Sequence, residues 1–283
     1  MDYTNIEQVD NDIILTNVRH FNLAETLDCG QAFRWGKIAD ETFSGIAHGK
    51  RLDVLFNENE HLLTIKNCTT HEFNTTWKNY FDFNRDYSTF RLMFLHDKNL
   101  KNAMDFSPGL RLMYQDPWET LVSFILSQNT NIPRIKKMIH ALCTCFGSPL
   151  PCGGFTFPSP EKIATLTVDD LSPIRCGYRA KYIIDAAQQT ACGKFDITYL
   201  KTRPTDEVKQ ALLNILGVGP KVADCVLLYG FGRVECYPID VWIKRVMTAL
   251  YPQGFPEELN NHAGIAQLFL FHYVRNGGQR QNR

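Results

Sequence analysis

Short alternations of apolar and polar residues fill the first third of the chain and predict an antiparallel sheet. Clusters of turn residues at 39–41, 48–50 and 57–60 separate the strand-like runs. Residues 21–27 interrupt the series as a predicted short helix. The predicted strands cover residues 12–18, 33–35, 42–47, 51–56 and 62–65.

Helical periodicity replaces alternation from about residue 71, and the clearest helices come after residue 115. Asp116, Pro117 and Glu119 stand in the order that is typical of a helix N-terminus. We therefore predict an α+β fold. A twisted antiparallel β-sheet with flanking helices is expected over residues 1–110, and a helical domain over residues 111–283.

Two helices joined by a glycine turn are predicted over residues 205–230. Apolar residues repeat at helical spacing up to Ile215, the turn carries Gly217 and Gly219, and Pro220 suits the start of the next helix. The glycines let the backbone approach a partner closely, and the amides that follow can bind a phosphate oxygen. Taken alone, this pattern is more typical of an ordinary helical hairpin.

Lys221 is a candidate nucleophile in the first turn of the second helix. The positive end of the helix dipole disfavours its ammonium form, and a neutral amine can attack carbon C1′ of a sugar. Cys225 follows four residues later on the same face, so a contact between the two side chains is possible. The alternative for Cys225 is a small core side chain.

Asp240 follows Pro238 and precedes another predicted helix, with apolar residues at 243, 246, 247 and 250. Its simplest role is an N-cap. A carboxylate can also stabilise an oxocarbenium-like sugar cation, as glycosidic cleavage requires. The two roles are compatible.

Residues 216–225, Leu-Gly-Val-Gly-Pro-Lys-Val-Ala-Asp-Cys, and residues 238–241, Pro-Ile-Asp-Val, carry a specific resemblance. Together they resemble the helix-hairpin-helix, Gly/Pro-rich loop, Asp superfamily of DNA glycosylases. Lysine with cysteine four residues later resembles its 8-oxoguanine DNA glycosylase branch. The resemblance implies that Lys221 forms a Schiff base with the damaged nucleoside and that Asp240 assists.

Two further segments are similar to the lesion pocket of that family. Residues 29–35, Cys-Gly-Gln-Ala-Phe-Arg-Trp, imply that the Gly30 carbonyl accepts a hydrogen bond from N7–H of the oxidised base. Normal guanine has no such hydrogen, and an unpaired buried acceptor costs about 1–3 kcal/mol. Gln267 resembles the residue that binds the base edge, while Phe271 and Cys225 resemble those that cover its faces.

Each of these pocket residues also has an ordinary structural explanation. Gly30 could be a turn glycine between a helix and a strand. Phe271 could pack in the core and Gln267 could be solvated. We expect both to lie on one helix, with Asn261 as its cap.

Residues 127–134 and 177–180 resemble the segments that enter the duplex where the base leaves. By that resemblance Asn129 fills the gap, Tyr178 wedges the stack, and Arg134 and Arg179 bind the orphaned cytosine. The alternatives are a turn residue for Asn129 and a core aromatic residue for Tyr178.

Trp242 departs from the pattern of this family, which usually has a histidine at that position near a DNA phosphate. The phosphate contact and the efficiency of the lyase reaction therefore stay open.

Composition narrows the cellular setting. The chain has 30 Lys+Arg and 30 Asp+Glu, so a local patch must bind any anionic partner. No apolar run approaches the ~20 residues of a membrane span, and the polar N-terminus is unlike a signal peptide. Nine cysteines without a CxxC pair indicate a reduced protein inside the cell, in the cytoplasm or nucleoid if it is bacterial.

We expect a monomer that needs no cofactor and no catalytic metal, although hairpin carbonyls could hold a structural cation. The cysteines at 143, 145 and 152 lack the paired spacing of a zinc site. The sequence thus predicts a base-excision enzyme that flips 8-oxoguanine out of duplex DNA, preferably opposite cytosine, removes it and cleaves the strand. The alternatives are an alkylpurine glycosylase of the same superfamily and a non-catalytic helix-hairpin-helix DNA-binding protein.

Overall fold

A six-stranded antiparallel sheet lies in the N-terminal part of this computed structural model, which describes residues 1–278. Buried and less buried side chains alternate along its four inner strands because one face packs on the core. The strands are β1 (Asn5–Val9), β2 (Asp12–Thr16), β3 (Trp35–Ala39), β4 (Thr42–Ala47), β5 (Lys50–Asn57) and β6 (Leu62–Ile65). Their order in the sheet is β1-β2-β6-β5-β4-β3.

Helices form most of the remaining chain, so the predicted α+β fold is confirmed. They are α1 (Leu23–Leu27), α2 (Thr70–Glu72), α3 (Lys78–Tyr80), α4 (Tyr87–Phe94), α5 (Lys98–Phe106), α6 (Pro117–Leu126), α7 (Ile132–Phe146), α8 (Pro160–Ala164), α9 (Arg179–Ala191), α10 (Ile197–Leu200), α11 (Thr205–Leu213), α12 (Pro220–Tyr229), α13 (Val241–Leu250) and α14 (Ala263–Arg275). A π-helical turn, Phe73–Trp77, joins α2 to α3. Two 3₁₀ turns occupy Ser172–Ile174 and Glu257–His262.

The structure adds one strand to those that the sequence predicts. In β1 four of the five residues are exposed, so it lacks the alternation that reveals a half-buried strand. It pairs with β2 at the edge of the sheet, with Asn5 opposite Thr16. At the other edge, β3 begins at Trp35, two residues later than predicted.

Contacts divide the chain into two compact units. The first contains Met1–Gly45, Leu52–Tyr114 and the segment from Val234 onward, and the second contains Ile46–Arg51 and Gln115–Arg233. α13 and α14 therefore group with the first unit. The predicted boundary at residue 110 stays a prediction, because grouping by contacts does not say which segments fold independently.

Arg111 organises the interior of the first unit. Its side chain is fully buried, and its guanidinium lies 4.0 Å from the ring centroid of Tyr87. All five of its N–H groups donate hydrogen bonds. The acceptors are Asp2 Oδ2 (2.7 Å) and the carbonyl oxygens of His20, Phe81, Asp82 and Arg85.

The backbone of Arg111 extends this network to α1. Its N–H donates to Thr26 Oγ1 (3.2 Å), and its carbonyl accepts from Gln31 Nε2 (2.7 Å). One residue thus connects the N-terminus, the turn after α3 and the chain that follows α1. A buried cation is tolerated there because every donor has a partner.

Glu25 is a half-buried acid in the same region. Burial, together with the nearby Glu58 carboxylate, raises the pKa of Glu25 to about 7, although its carboxylate accepts a hydrogen bond from Gly109 N–H (2.8 Å). The folded protein therefore retains a proton here that the unfolded chain releases. This difference destabilises the fold as the pH rises through 7.

We expect Arg111→Met to lower the free energy of unfolding by about 3–5 kcal/mol, because it leaves Asp2 as a buried charge without its partner. Urea denaturation measures this loss. Lys101→Met, which removes an exposed pair with Asp105, is the control and should have little effect. Equal losses in the two variants would contradict the central role of Arg111.

Glu25→Gln should stabilise the fold by about 1–3 kcal/mol at pH 8, because the amide avoids an ionised, partly desolvated carboxylate. The gain should shrink towards pH 5, where the native Glu25 is protonated. Urea denaturation at the two pH values tests this, with the exposed Glu161→Gln as control. A gain of the same size at both pH values would show that ionisation is not its cause.

Candidate functional site

The helical hairpin of the second unit forms as predicted, with α11 and α12 joined by a glycine turn. Gly217 has φ 78°, and a Cβ atom there would lie 2.4 Å from the ring of Tyr182. Both the backbone and the packing therefore require glycine at this position. The turn is held by Val218 N–H to Ile215 carbonyl (3.0 Å) and by Leu216 N–H to Asp185 Oδ2 (2.8 Å).

The N-terminus of α12 is suited to bind an anion. Gly219 occupies the N-cap position and no side chain caps the helix. A Cβ at Gly219 would meet open space. Pro220 lacks an N–H, so the amides of Lys221 and Val222 are the first donors of this helix.

Lys221 is half-buried in the first turn of α12. Its Nζ lies 4.9 Å from the ring centroid of Phe124 on α6, and that ring stacks on Tyr229 at 5.4 Å. Among the residues that the structure describes, no carboxylate forms a salt bridge with Lys221. An aromatic face therefore orients the amine without a fixed counter-charge.

Cys225 lies one turn further along α12 and is 3% exposed. Its burial agrees with the simple alternative, a small core side chain. The predicted contact with Lys221 stays a prediction, as does the role of Cys225 against a base.

A polar loop separates α6 from α7. Asn129 is exposed and has φ 47°, a left-handed conformation that asparagine tolerates better than most residues. Gln128 Nε2 donates to the Gly217 carbonyl (3.1 Å), which ties this loop to the hairpin. Asn131 caps α7 by accepting from Arg134 N–H, and the Arg134 side chain is exposed.

Arg179 supports the same loop and is 5% exposed. It donates to the carbonyls of Gln128 (3.0 Å), Cys176 (3.1 Å) and Asn129 (3.3 Å). Its predicted hydrogen bond to cytosine stays a prediction. Tyr178 is 48% exposed, so the alternative of a core aromatic residue is wrong.

The first unit contains the other predicted pocket residues. Gly30 lies between α1 and β3 with φ 93°, a conformation that glycine adopts readily. The next residue, Gln31, is held in place because its side-chain amide donates to the carbonyls of Thr26 (2.9 Å) and Arg111 (2.7 Å). Its Oε1 accepts from Met113 N–H (2.9 Å).

Gln267 is 4% exposed on α14, so the alternative of a solvated side chain is wrong. Its Nε2 donates to the Pro238 carbonyl (3.2 Å), whereas its buried Oε1 has no hydrogen-bond partner among residues 1–278. A buried acceptor without a partner costs free energy, so this oxygen is able to accept a hydrogen bond from a ligand donor. Phe271, one turn later, is half-buried and therefore not a core residue.

Asp240 caps α13, as its simplest role predicts. Oδ1 accepts from Ile243 N–H at 2.8 Å. Oδ2 has no hydrogen bond to a residue described by the structure, and the side chain is half-buried. One oxygen thus holds the helix while the other stays available, which is compatible with a second role.

Two details of the first unit differ from the sequence prediction. α14 begins at Ala263, with His262 rather than Asn261 at its N-cap position and no side-chain cap. Arg275 was not predicted at all. Its Nη1 donates to the Cys29 carbonyl at 3.3 Å, and its spacing of four residues from Phe271 was the available signal.

Residues 1–278 contain no cluster of three or more His, Cys, Asp or Glu side chains arranged to hold a metal ion. Within that same range, every helix is too short or too polar to cross a membrane.

The predicted site residues divide between the two compact units. Gly30, Asp240, Gln267 and Phe271 lie in the first, and Lys221, Cys225, Gly217, Gly219, Asn129, Arg134, Tyr178 and Arg179 lie in the second.

Comparison with known proteins gives matches along most of the chain. Residues 13–121 match the N-terminal domain of 8-oxoguanine DNA glycosylase, and residues 122–261 match the helix-hairpin-helix Gly/Pro-Asp superfamily of base excision DNA repair proteins. A probable N-glycosylase/DNA lyase of Methanothermobacter thermautotrophicus is 34% identical over 231 residues. That alignment covers 70% of this chain and 73% of the relative.

Solved structures agree with these matches. MBOgg1, in complex with a low-affinity DNA ligand, is 40% identical with a TM-score of 0.92, covering 98% of this chain and 100% of that one. The 8-oxoguanine glycosylase/lyase of Clostridium acetobutylicum, in complex with double-stranded DNA containing cytosine opposite 8-oxoguanine, is 34% identical with a TM-score of 0.91 and the same coverage. The chain therefore belongs to the 8-oxoguanine DNA glycosylase branch of the helix-hairpin-helix base excision repair superfamily.

Proposed function

We propose that this protein removes 8-oxoguanine from duplex DNA, preferably opposite cytosine, and then cleaves the strand at the abasic site. The observation that carries the proposal is Lys221, an amine at the uncapped N-terminus of α12 with no salt-bridge partner among the described residues. An alkylpurine glycosylase that depends on an aspartate alone does not need such an amine. A non-catalytic DNA-binding hairpin does not need it either.

The proposed reaction begins at carbon C1′ of the damaged nucleotide. Neutral Lys221 Nζ forms a bond to C1′ while the bond from C1′ to base nitrogen N9 breaks, and the base leaves with that electron pair and takes up a proton. Asp240, through its free Oδ2, stabilises the positive charge that develops on the sugar. Loss of a proton from nitrogen and opening of the sugar ring give the Schiff base.

Strand cleavage follows from the same intermediate. The imine makes the C2′ hydrogen acidic, so a base removes it. The departing electron pair forms the C2′–C3′ double bond and expels the 3′ phosphate. Water then hydrolyses the imine and returns Lys221 as an amine. The freed 8-oxoguanine is our candidate for the base that removes the C2′ proton.

Recognition of the lesion is assigned to the first unit. The Gly30 carbonyl accepts the N7–H that distinguishes 8-oxoguanine from guanine. The orphaned Oε1 of Gln267 accepts a donor on the edge of the flipped base, and Phe271 stacks on its face. By the resemblance to this family, Cys225 is assigned to the other face of the base.

Binding of the duplex is assigned to the second unit. The hairpin glycines Gly217 and Gly219 bring backbone amides to a phosphate, which compensates for the absence of net charge. Exposed Asn129 and Tyr178 fill and wedge the space that the flipped base leaves. We further propose that the protein acts inside the cell as a monomer, because its cysteine content is too low for a disulfide scaffold.

Lys221→Gln should retain binding to duplexes containing 8-oxoguanine but lose strand cleavage and borohydride trapping, because glutamine cannot form an imine. Gel electrophoresis of a labelled duplex treated with borohydride measures the trapped adduct. The exposed Lys162→Gln is the control and should react like the native protein. Capture of the Lys221→Gln variant on DNA would show that another amine is the nucleophile.

Arg134→Ala should reduce the preference for cytosine opposite the lesion by roughly tenfold, since a hydrogen-bonded base contact contributes about 1–3 kcal/mol of discrimination. Excision rates on four duplexes that differ only in the opposite base measure the preference. Lys137→Ala removes an exposed charge from the same helix and should leave the preference intact. Similar native rates opposite all four bases would refute the assignment.

A further inference from the structure

One face of α14 carries three polar or aromatic side chains at successive turns, Gln267, Phe271 and Arg275. Residues four apart on a helix are neighbours, so the three form a continuous stripe. We propose that Arg275 is a positioning residue for lesion recognition, which holds the Cys29–Gly30 backbone and the Phe271 ring in one fixed arrangement. This inference rests on the proposed function, because it concerns the same base-binding pocket.

Arg275 makes two contacts that no other described side chain combines. Its Nη1 donates a hydrogen bond to the Cys29 carbonyl at 3.3 Å. Its Cζ lies 5.8 Å from the centroid of the Phe271 ring. The planar guanidinium can serve both contacts at once, because its donors lie in the plane and its face is free to approach the ring.

The contact to Cys29 completes the support around Gly30. On the far side of Gly30, Gln31 is fixed by its hydrogen bonds to Thr26, Arg111 and Met113. On the near side, the Cys29 thiol donates to the Thr26 carbonyl and the Cys29 carbonyl accepts from Arg275. Glycine has the freest backbone of any residue. The Gly30 carbonyl can therefore accept the N7–H of the base in a fixed geometry only if Cys29 and Gln31 are both held in place.

A simpler role for Arg275 is stabilisation of the end of α14. It is the last residue of the helix, where a positive charge interacts favourably with the dipole. That role would affect the stability of the fold but would not distinguish one substrate from another. The hydrogen bond to Cys29 joins residues 246 positions apart in the chain, which helix stabilisation alone does not require.

The positioning role and the helix-stabilising role of Arg275 predict different effects on the two reactions of this family. Excision of 8-oxoguanine needs the pocket that reads the base, whereas strand cleavage at a preformed abasic site needs the amine but involves no base. Loss of Arg275 should therefore impair the first reaction and spare the second. Loss of a DNA-binding or purely structural residue should impair both.

The experiment compares Arg275→Met and Arg275→Lys with the native protein in single-turnover assays on both substrates. Arg275→Met keeps a side chain against Phe271 but removes the donor, and we expect excision to fall roughly tenfold while abasic-site cleavage stays within about twofold. Arg275→Lys retains a donor and a charge and should recover part of the loss. Discrimination against guanine, measured on an undamaged duplex, should fall with excision.

Arg91→Met is the matched control, because Arg91 also lies in the first unit and donates to one backbone carbonyl, that of Met104, at 3.3 Å. It should leave both reactions unchanged. An Arg275→Met variant with native excision, or with equal losses in excision and abasic-site cleavage, would overturn the inference. Absence of trapping and cleavage with the native protein would instead overturn the proposed function.

Discussion

The fully buried guanidinium of Arg111 is the constraint on which the first unit depends. A buried guanidinium needs an acceptor for every donor. Arg111 has five acceptors, which come from the N-terminus, the segment before α1 and the turn after α3. Its own carbonyl then fixes Gln31, the residue after Gly30. Core stability and the geometry around the Gly30 carbonyl, which we propose binds the base, therefore depend on one hydrogen-bond network.

The two compact units contribute different chemistry. The first unit holds rigid backbone and side-chain acceptors, which suit recognition of a base edge. The second presents amides, an exposed loop and an amine held against an aromatic ring, which suit binding of a phosphate backbone and attack on a sugar. This division explains how a chain with no net charge can belong to a DNA repair family: its proposed contacts to phosphate use helix ends and turns rather than an excess of lysine and arginine.

Local signals account for what the sequence could predict. Glycine and proline mark the hairpin, alternation marks five of the strands, and helical spacing places Gln267 and Phe271 on one helix. β1 was not predicted because the residues of this exposed edge strand do not alternate between apolar and polar. The parts played by Gln31, Arg111 and Arg275 could not be predicted, because each depends on partners that are 80 or more positions away. The sequence likewise did not reveal that Arg179 supports the loop of Asn129.

The unpaired oxygen of Gln267 affects which amino-acid substitutions the protein tolerates at this position. A buried acceptor without a donor destabilises the fold, and an apolar residue of similar size would remove that penalty while also losing the hydrogen bond to the Pro238 carbonyl. Selection for heat resistance alone can therefore replace this amide, whereas selection for repair would retain it under the role that we propose for Gln267. The position marks a conflict between robustness and recognition, and variants enriched by thermal screening should be inspected there first.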